Sequence, residues 1–264
     1  MKLIHVADIH LGATSDTLLN AASDAIRSEK ADALVVSGDL TQRGTREEFR
    51  NARQWVDDIA LPAIVVPGNH DTPLLHAGHR LLKPFARYSE HFGDLTRPLR
   101  VGNIRLLPLN TARGWQSRTN WAEGSVNLTH LDDLLGHEMR EDDIPVMVCH
   151  HPFTHLAGAG LRTSTRRGDI ASARLAGSPF RMLMTGHVHT PHAERIHSGP
   201  GHYLAVSAGT LSHRLRAAPP SFNVLTFRKE DLTITPRNFA DGAFTALDGQ
   251  AFSWTPGCLS SSRR

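Results

Sequence analysis

Short apolar runs alternate with helical repeats through the first seventy residues. Residues 3–7, Ala33–Ser37 and Ala63–Val66 are nearly continuous in apolar side chains and predict buried strands. Between them, residues 18–28 and Arg46–Ile59 place apolar positions (Phe49, Trp55, Val56, Ile59) at helical spacing against a charged face. Further strands are expected at residues 104–109, 145–149 and Met182–Thr185. Residues 203–207, 222–227 and 232–235 alternate apolar and polar more regularly and predict an antiparallel portion. A helix and lid-like loops are expected over 74–92. Another helix is expected from a Thr129 cap to about Arg140, with Asp132 in the capping-box position.

From about Asp241 the pattern gives way to Gly, Ser, Thr and Pro, which predicts a loosely ordered tail over 241–264 behind a single domain over 1–240.

Polar motifs punctuate the apolar runs. Asp8-Ile9-His10, Gly38-Asp39, Gly68-Asn69-His70-Asp71, His150-His151-Pro152 and Gly186-His187-Val188-His189 each end or follow a strand-like segment. They supply oxygen and imidazole donors, the set that suits a pair of divalent ions. Asp8 and His10, like His187 and His189, are two apart, which in an extended chain puts both side chains on one face. Asp39 has two carboxylate oxygens with which to bridge two ions.

Five such motifs in this order resemble the calcineurin-like metallophosphoesterases, and among them the class III cyclic-nucleotide phosphodiesterases. The resemblance implies an α/β/β/α sandwich of two mixed sheets flanked by helices, with the site at one edge of the paired sheets. It implies one metal on Asp8, His10, Asp39 and His189 and a second on Asp39, Asn69, His150 and His187. The ions would be manganese or iron, with zinc as an alternative. His70 matches the histidine that faces the scissile phosphate, and Asp71 its orienting partner. In the family pattern the ligand stands two residues before a proline, which selects His150 and leaves His151 in a supporting role. The implied reaction is phosphodiester hydrolysis by a hydroxide bridging two ions about 3.5–4 Å apart. Three other readings share the resemblance: a phosphomonoesterase or nuclease on the same metals, a lipid-precursor pyrophosphatase, and a scaffold without catalysis. The last requires lost ligands, and none is missing here.

Composition adds little. The 264 residues are 40% hydrophobic and 21% charged with a net charge of +3, too mild to indicate nucleic-acid binding. Arg43, Arg113 and Arg162 are candidates to line a substrate pocket for a small phosphate ester. Arg162, Arg166 and Arg167 crowd one stretch. Of 17 histidines, only the six in the motifs have a reason to be chemical, although His155 follows the fourth motif closely. Cys149 and Cys258 make no disulfide framework. No apolar stretch approaches a membrane span, and the first residues enter a strand at once; both predict a soluble cytoplasmic protein. An oligomer is left open.

Overall fold

A computed structural model describes residues 1–74, 77–115, 122–158, 163, 165–199, 201–228, 231–255 and 258–261. In chain order its elements are β1 (Lys2–Val6), α1 (Asp16–Ser28), β2 (Ala33–Ser37), α2 (Arg46–Ile59), β3 (Ala63–Val66), α3 (Ala77–Leu82), α4 (Ala86–Phe92), β4 (Leu99–Val101), β5 (Ile104–Pro108), β6 (Gly124–Ser125), α5 (Leu128–Leu135), β7 (Ile144–Val148), β8 (Thr165–Arg166), α6 (Gly168–Ala176), β9 (Met182–Thr185), β10 (His192–Ser198), β11 (Gly201–Ser207), β12 (Ser221–Phe227), β13 (Asp231–Ala240), β14 (Ala243–Ala246), β15 (Gln250–Thr255) and β16 (Cys258–Ser261).

Two mixed sheets form the centre. One runs β16-β15-β13-β12-β1-β2-β3, with β14 also on β13; the other runs β10-β11-β9-β7-β5-β4. β1, β2 and β3 are parallel, as are β5, β7, β9 and β11. Alternation along the strands sorts the core into layers. Leu3, Val35, Val146, Met184 and Val206 fill the space between the sheets. Ile4, Leu34 and Val36 face outward against α1 and α2 through Ile26, Phe49 and Trp55. On the other side Leu107, Met147 and Leu183 pack against Leu131 and Leu175 of α5 and α6. The architecture is the expected four-layer sandwich.

The helix ends follow local chemistry. α2 begins with a full capping box: the Thr45 hydroxyl accepts from the Glu48 N–H, and the Glu48 carboxylate accepts from the Thr45 N–H. α5 is capped by Asn127, whose side chain accepts from Thr129 and His130, and it stops at Leu135 before Gly136. The expected Thr129 cap is replaced because an earlier side chain satisfies the first free N–H groups, and the expected extension to Arg140 is cut short at Gly136, a poor helix former.

The segment beyond Asp241 also departs from expectation. β14 and β15 pair with β13, Phe252 is buried, and the Phe244 ring lies 5.2 Å from those of Phe222 and Phe239. Two aromatic residues within a Ser- and Gly-rich stretch supply burial that composition conceals. The antiparallel expectation holds for β12 and β13, whereas β11 is parallel to β9 and antiparallel only to β10. Among the described residues no helix is long and apolar enough to cross a membrane.

Candidate metal centre

All five motifs leave the carboxyl ends of parallel strands: Asp8 and His10 beyond β1, Asp39 beyond β2, Asn69 beyond β3, His150 beyond β7, and His187 and His189 beyond β9. Parallel strands bring such ends to one edge, where loops converge.

The backbone there is not extended. Asp8, His10, Asp39, His187 and His189 have φ of 54°, 47°, 52°, 69° and 57°. Asp8 and His10 therefore share a target through left-handed turns, while His187 and His189 turn toward different groups of donors, so the strand-face explanation is replaced for both pairs. Left-handed backbone at non-glycine residues costs on the order of 1–3 kcal/mol each and persists where surroundings over-determine it. Here the Asp8 N–H donates to Gly38 O at 2.9 Å, His10 N–H to Asp39 O at 3.0 Å, and His187 N–H to Asp8 Oδ2 at 2.8 Å. Gly38 has φ of 89°, and a Cβ there would run into the His150 ring. A Cβ on Gly68 would run into the Asp39 carboxylate.

The donors fall into two clusters. In one, His189 Nε2 lies 3.1 Å from Asp8 Oδ1 and 3.3 Å from His10 Nε2. In the other, His150 Nε2 lies 3.2 Å from Asn69 Oδ1 and 3.4 Å from Asp39 Oδ2, with the His187 ring 5.2 Å from that of His150. Asp39 Oδ2 is also 3.7 Å from His10 Nε2. One oxygen of Asp39 thus faces both clusters, while Oδ1 accepts the His70 N–H at 2.8 Å.

The donor set calls for cations. Asp8 Oδ1 is buried and faces His189 Nε2 at 3.1 Å without a well-formed hydrogen bond. The Nδ1 atoms of His150 and His189 face the carbonyls of Ser37 at 2.8 Å and Arg214 at 2.6 Å, so each directs its other nitrogen, Nε2, at carboxylate oxygen. Burial alone would lower the pKa of His150, yet the Asp39 carboxylate beside it raises it to about 9. His189 is raised against burial in the same way by Asp8. Such a field attracts protons or metal ions, and four groups of three His or Asp side chains here have donor atoms close enough to hold an ion. The residues fit a pair of metals.

The neighbours divide. His151 is buried between Thr111 Oγ1, 3.0 Å from Nδ1, and the Ala122 carbonyl, 3.0 Å from Nε2. Both its nitrogens have partners, while its ring lies 4.6 Å from that of His187 and its donor atoms lie close enough to those of His150 and His187 for the three to hold an ion. Asp71 does not touch the His70 ring. It accepts from the N–H groups of Leu40, Thr41 and Gly68 and from the Thr41 hydroxyl. The His70 ring instead sets Nδ1 2.8 Å from the Gln42 carbonyl and Nε2 2.8 Å from Arg214 Nη1.

Arg43 is exposed and lines a groove with Gly12, Thr14 and Glu48 in which none of the expected ligands stands. Arg113 lines a different groove of about 500 Å³ with Asn110, Trp115 and Leu81. Burial, with Arg167 and Arg166 nearby, lowers the Arg113 pKa. Arg162 lies outside the described residues. His155 is exposed. Cys149 is buried, which pushes its thiol pKa up and leaves it inert. Sequence reasoning misses Arg214, since it stands in no motif and follows the last one by twenty-five residues.

The calcineurin-like phosphoesterase model matches residues 1–191, spanning all five motifs. The chain belongs to that family.

Within this metallophosphoesterase family the chain is 24% identical over 213 residues to a probable cyclic nucleotide phosphodiesterase of Synechococcus sp., covering 72% of this chain and 73% of the relative. It is 25% identical over 218 residues to a component of the SbcCD nuclease of Staphylococcus saprophyticus, covering 72% of this chain and 57% of that one. Over 82 residues it is 35% identical to the glycerophosphodiester phosphodiesterase GpdQ of Enterobacter lignolyticus, covering 27% and 30%. Among solved structures, a purple acid phosphatase from yellow lupin superposes with a TM-score of 0.65 at 14% identity, over 96% of this chain and 54% of that one. A dimetal phosphatase from Danio rerio gives 0.56 at 12%, over 93% and 98%. These two establish the fold. With the buried His and Asp clusters, family membership makes the chain a metal-dependent phosphoesterase.

Proposed function

We propose that this chain hydrolyses phosphodiesters on a dinuclear centre, with one ion on Asp8, His10, Asp39 and His189 and the other on Asp39, Asn69, His150 and His187. The observation that carries this reading is Asp39 Oδ2 standing between His10 and His150, a single oxygen shared by two donor clusters. Bound there, the metal pair supplies Lewis-acid charge to the phosphoryl group and acidifies a water nucleophile. Manganese or iron suits the mixed N/O donors, as would zinc. The protein holds the ligands through Ser37 O, Arg214 O and the Asp71-pinned loop, and sets His70 over the same edge.

The diester preference draws on relatives named for cyclic nucleotides, glycerophosphodiesters and nuclease activity; among these, cyclic nucleotides are the substrate class to test first. A nuclease has less support, since the net charge is only +3. The test is hydrolysis of bis(p-nitrophenyl) phosphate against p-nitrophenyl phosphate by the Mn²⁺-loaded protein. Faster diester turnover supports the reading, and monoester preference replaces it with a phosphatase.

A further inference from the structure

Arg214 is half-buried at the edge of the metal centre. Its Nη1 lies 2.8 Å from His70 Nε2, 3.3 Å from Gln42 Oε1 and 3.5 Å from His10 Nδ1. Among the described residues it makes no ion pair. A guanidinium donates and cannot accept, and it stays protonated in proteins. His70 Nε2 must therefore be the acceptor, which leaves the proton on Nδ1, where the Gln42 carbonyl receives it at 2.8 Å. One neutral tautomer satisfies both contacts. In that state His70 has no proton at Nε2 to give to a leaving group.

The loop that carries Arg214 is fixed to the first motif. Thr210 Oγ1 donates to Asp8 O at 2.6 Å, His213 N–H to Ala13 O at 3.2 Å, and Arg214 N–H to Ser212 Oγ at 3.2 Å. The Arg214 carbonyl in turn accepts from His189 Nδ1. The same residue thus orients a ligand with its backbone and sets a cation over the centre with its side chain.

We propose that Arg214 is the residue that grips a non-bridging oxygen of the substrate phosphate, and that His70 is a positioning residue whose lone pair aims the guanidinium. A planar fork with donors to spare matches a phosphate oxygen pair, and a cation without a carboxylate partner awaits an anion. With a metal on His10 Nε2, the His10 proton would sit on Nδ1 and that ring would offer the guanidinium nothing; the two N–H groups of Nη1 go to His70 and Gln42, and the donors left for an anion are those of Nη2 and Nε. This inference rests on the metal-centred reading above and deepens it.

The test is calorimetric titration of inorganic phosphate into Mn²⁺-loaded protein, alongside kcat/KM for bis(p-nitrophenyl) phosphate. Arg214→Gln should weaken phosphate about tenfold or more, the loss of a charged hydrogen bond, with metal content unchanged. Arg214→Lys, which keeps the charge and loses the fork, should fall between and guards against a folding defect. His70→Gln, whose amide oxygen accepts from Arg214 but delivers no proton, should restore phosphate affinity and most turnover relative to His70→Ala. Unchanged phosphate affinity in Arg214→Gln overturns the clamp. His70→Gln as poor as His70→Ala overturns the positioning role and returns His70 to proton transfer. A wild-type protein that holds two metals and hydrolyses no phosphate ester removes the proposed reaction instead, and the phosphate titration still decides Arg214.

Discussion

The Asp71 carboxylate accepts two hydrogen bonds from Thr41, one from its N–H and one from its hydroxyl, each at 2.9 Å. With its contacts to Leu40 and Gly68, it ties the loop after β2 to the loop after β3, the two loops that carry Asp39 and Asn69. Burial and the Asp39 charge push the Asp71 pKa up to about 7, against the pull of those donors.

Removing this carboxylate should therefore damage fold and metal site together. Asp71→Ala strands several buried donors at roughly 1–3 kcal/mol apiece, so a loss of about 3 kcal/mol or more is expected in urea titration. Asp71→Asn keeps the shape and should chiefly weaken metal binding, by about 10–100-fold as for other outer supports.

His5 gives the clearest pH dependence. It lies between the sheets, fully buried, with Nε2 2.8 Å from Ser37 Oγ. Burial lowers its pKa from the ordinary 6.5 to about 3, partly offset by Asp8. Between those values the unfolded chain binds a proton that the native chain refuses. Stability should fall as pH drops from about 6.5 toward 3, by up to about 1.4 kcal/mol per pH unit from this group. Urea titrations across that range would show it, with a shallower slope in His5→Gln. An equal slope in the variant would assign the acid sensitivity elsewhere.

Adjacent histidines in the fourth motif should separate cleanly. His150→Ala should cost the site one metal, since Nε2 faces Asp39 and Asn69. His151→Ala should keep both metals and lose stability, because it strands Thr111 and the Ala122 carbonyl. Metal analysis and thermal melts read both, and loss of metal in His151→Ala would make it a ligand.

The residues at the site are legible because ligands that follow buried strands form local motifs. Their backbone is not: Asp8 and His10 share a target through positive φ, which alternation cannot reveal. Arg214 is invisible for a related reason, since only tertiary folding brings it to His70 across 144 positions. Asp71 stands out in the sequence but with the wrong partner, because adjacency to His70 says nothing of where its oxygens point. Helix α6 and strand β10 carry weak periodicity, and the sequence does not announce them. The strands beyond Asp241 depend on Phe244 and Phe252, two apolar residues that local composition outweighs.

The most direct test of the shared-oxygen centre is metal stoichiometry by inductively coupled plasma mass spectrometry on wild type and Asp39→Asn, with diester turnover measured on the same samples. Two metals per wild-type chain, falling to one or none in the variant with activity lost in step, is the result expected. Two metals and undiminished turnover in Asp39→Asn would contradict it.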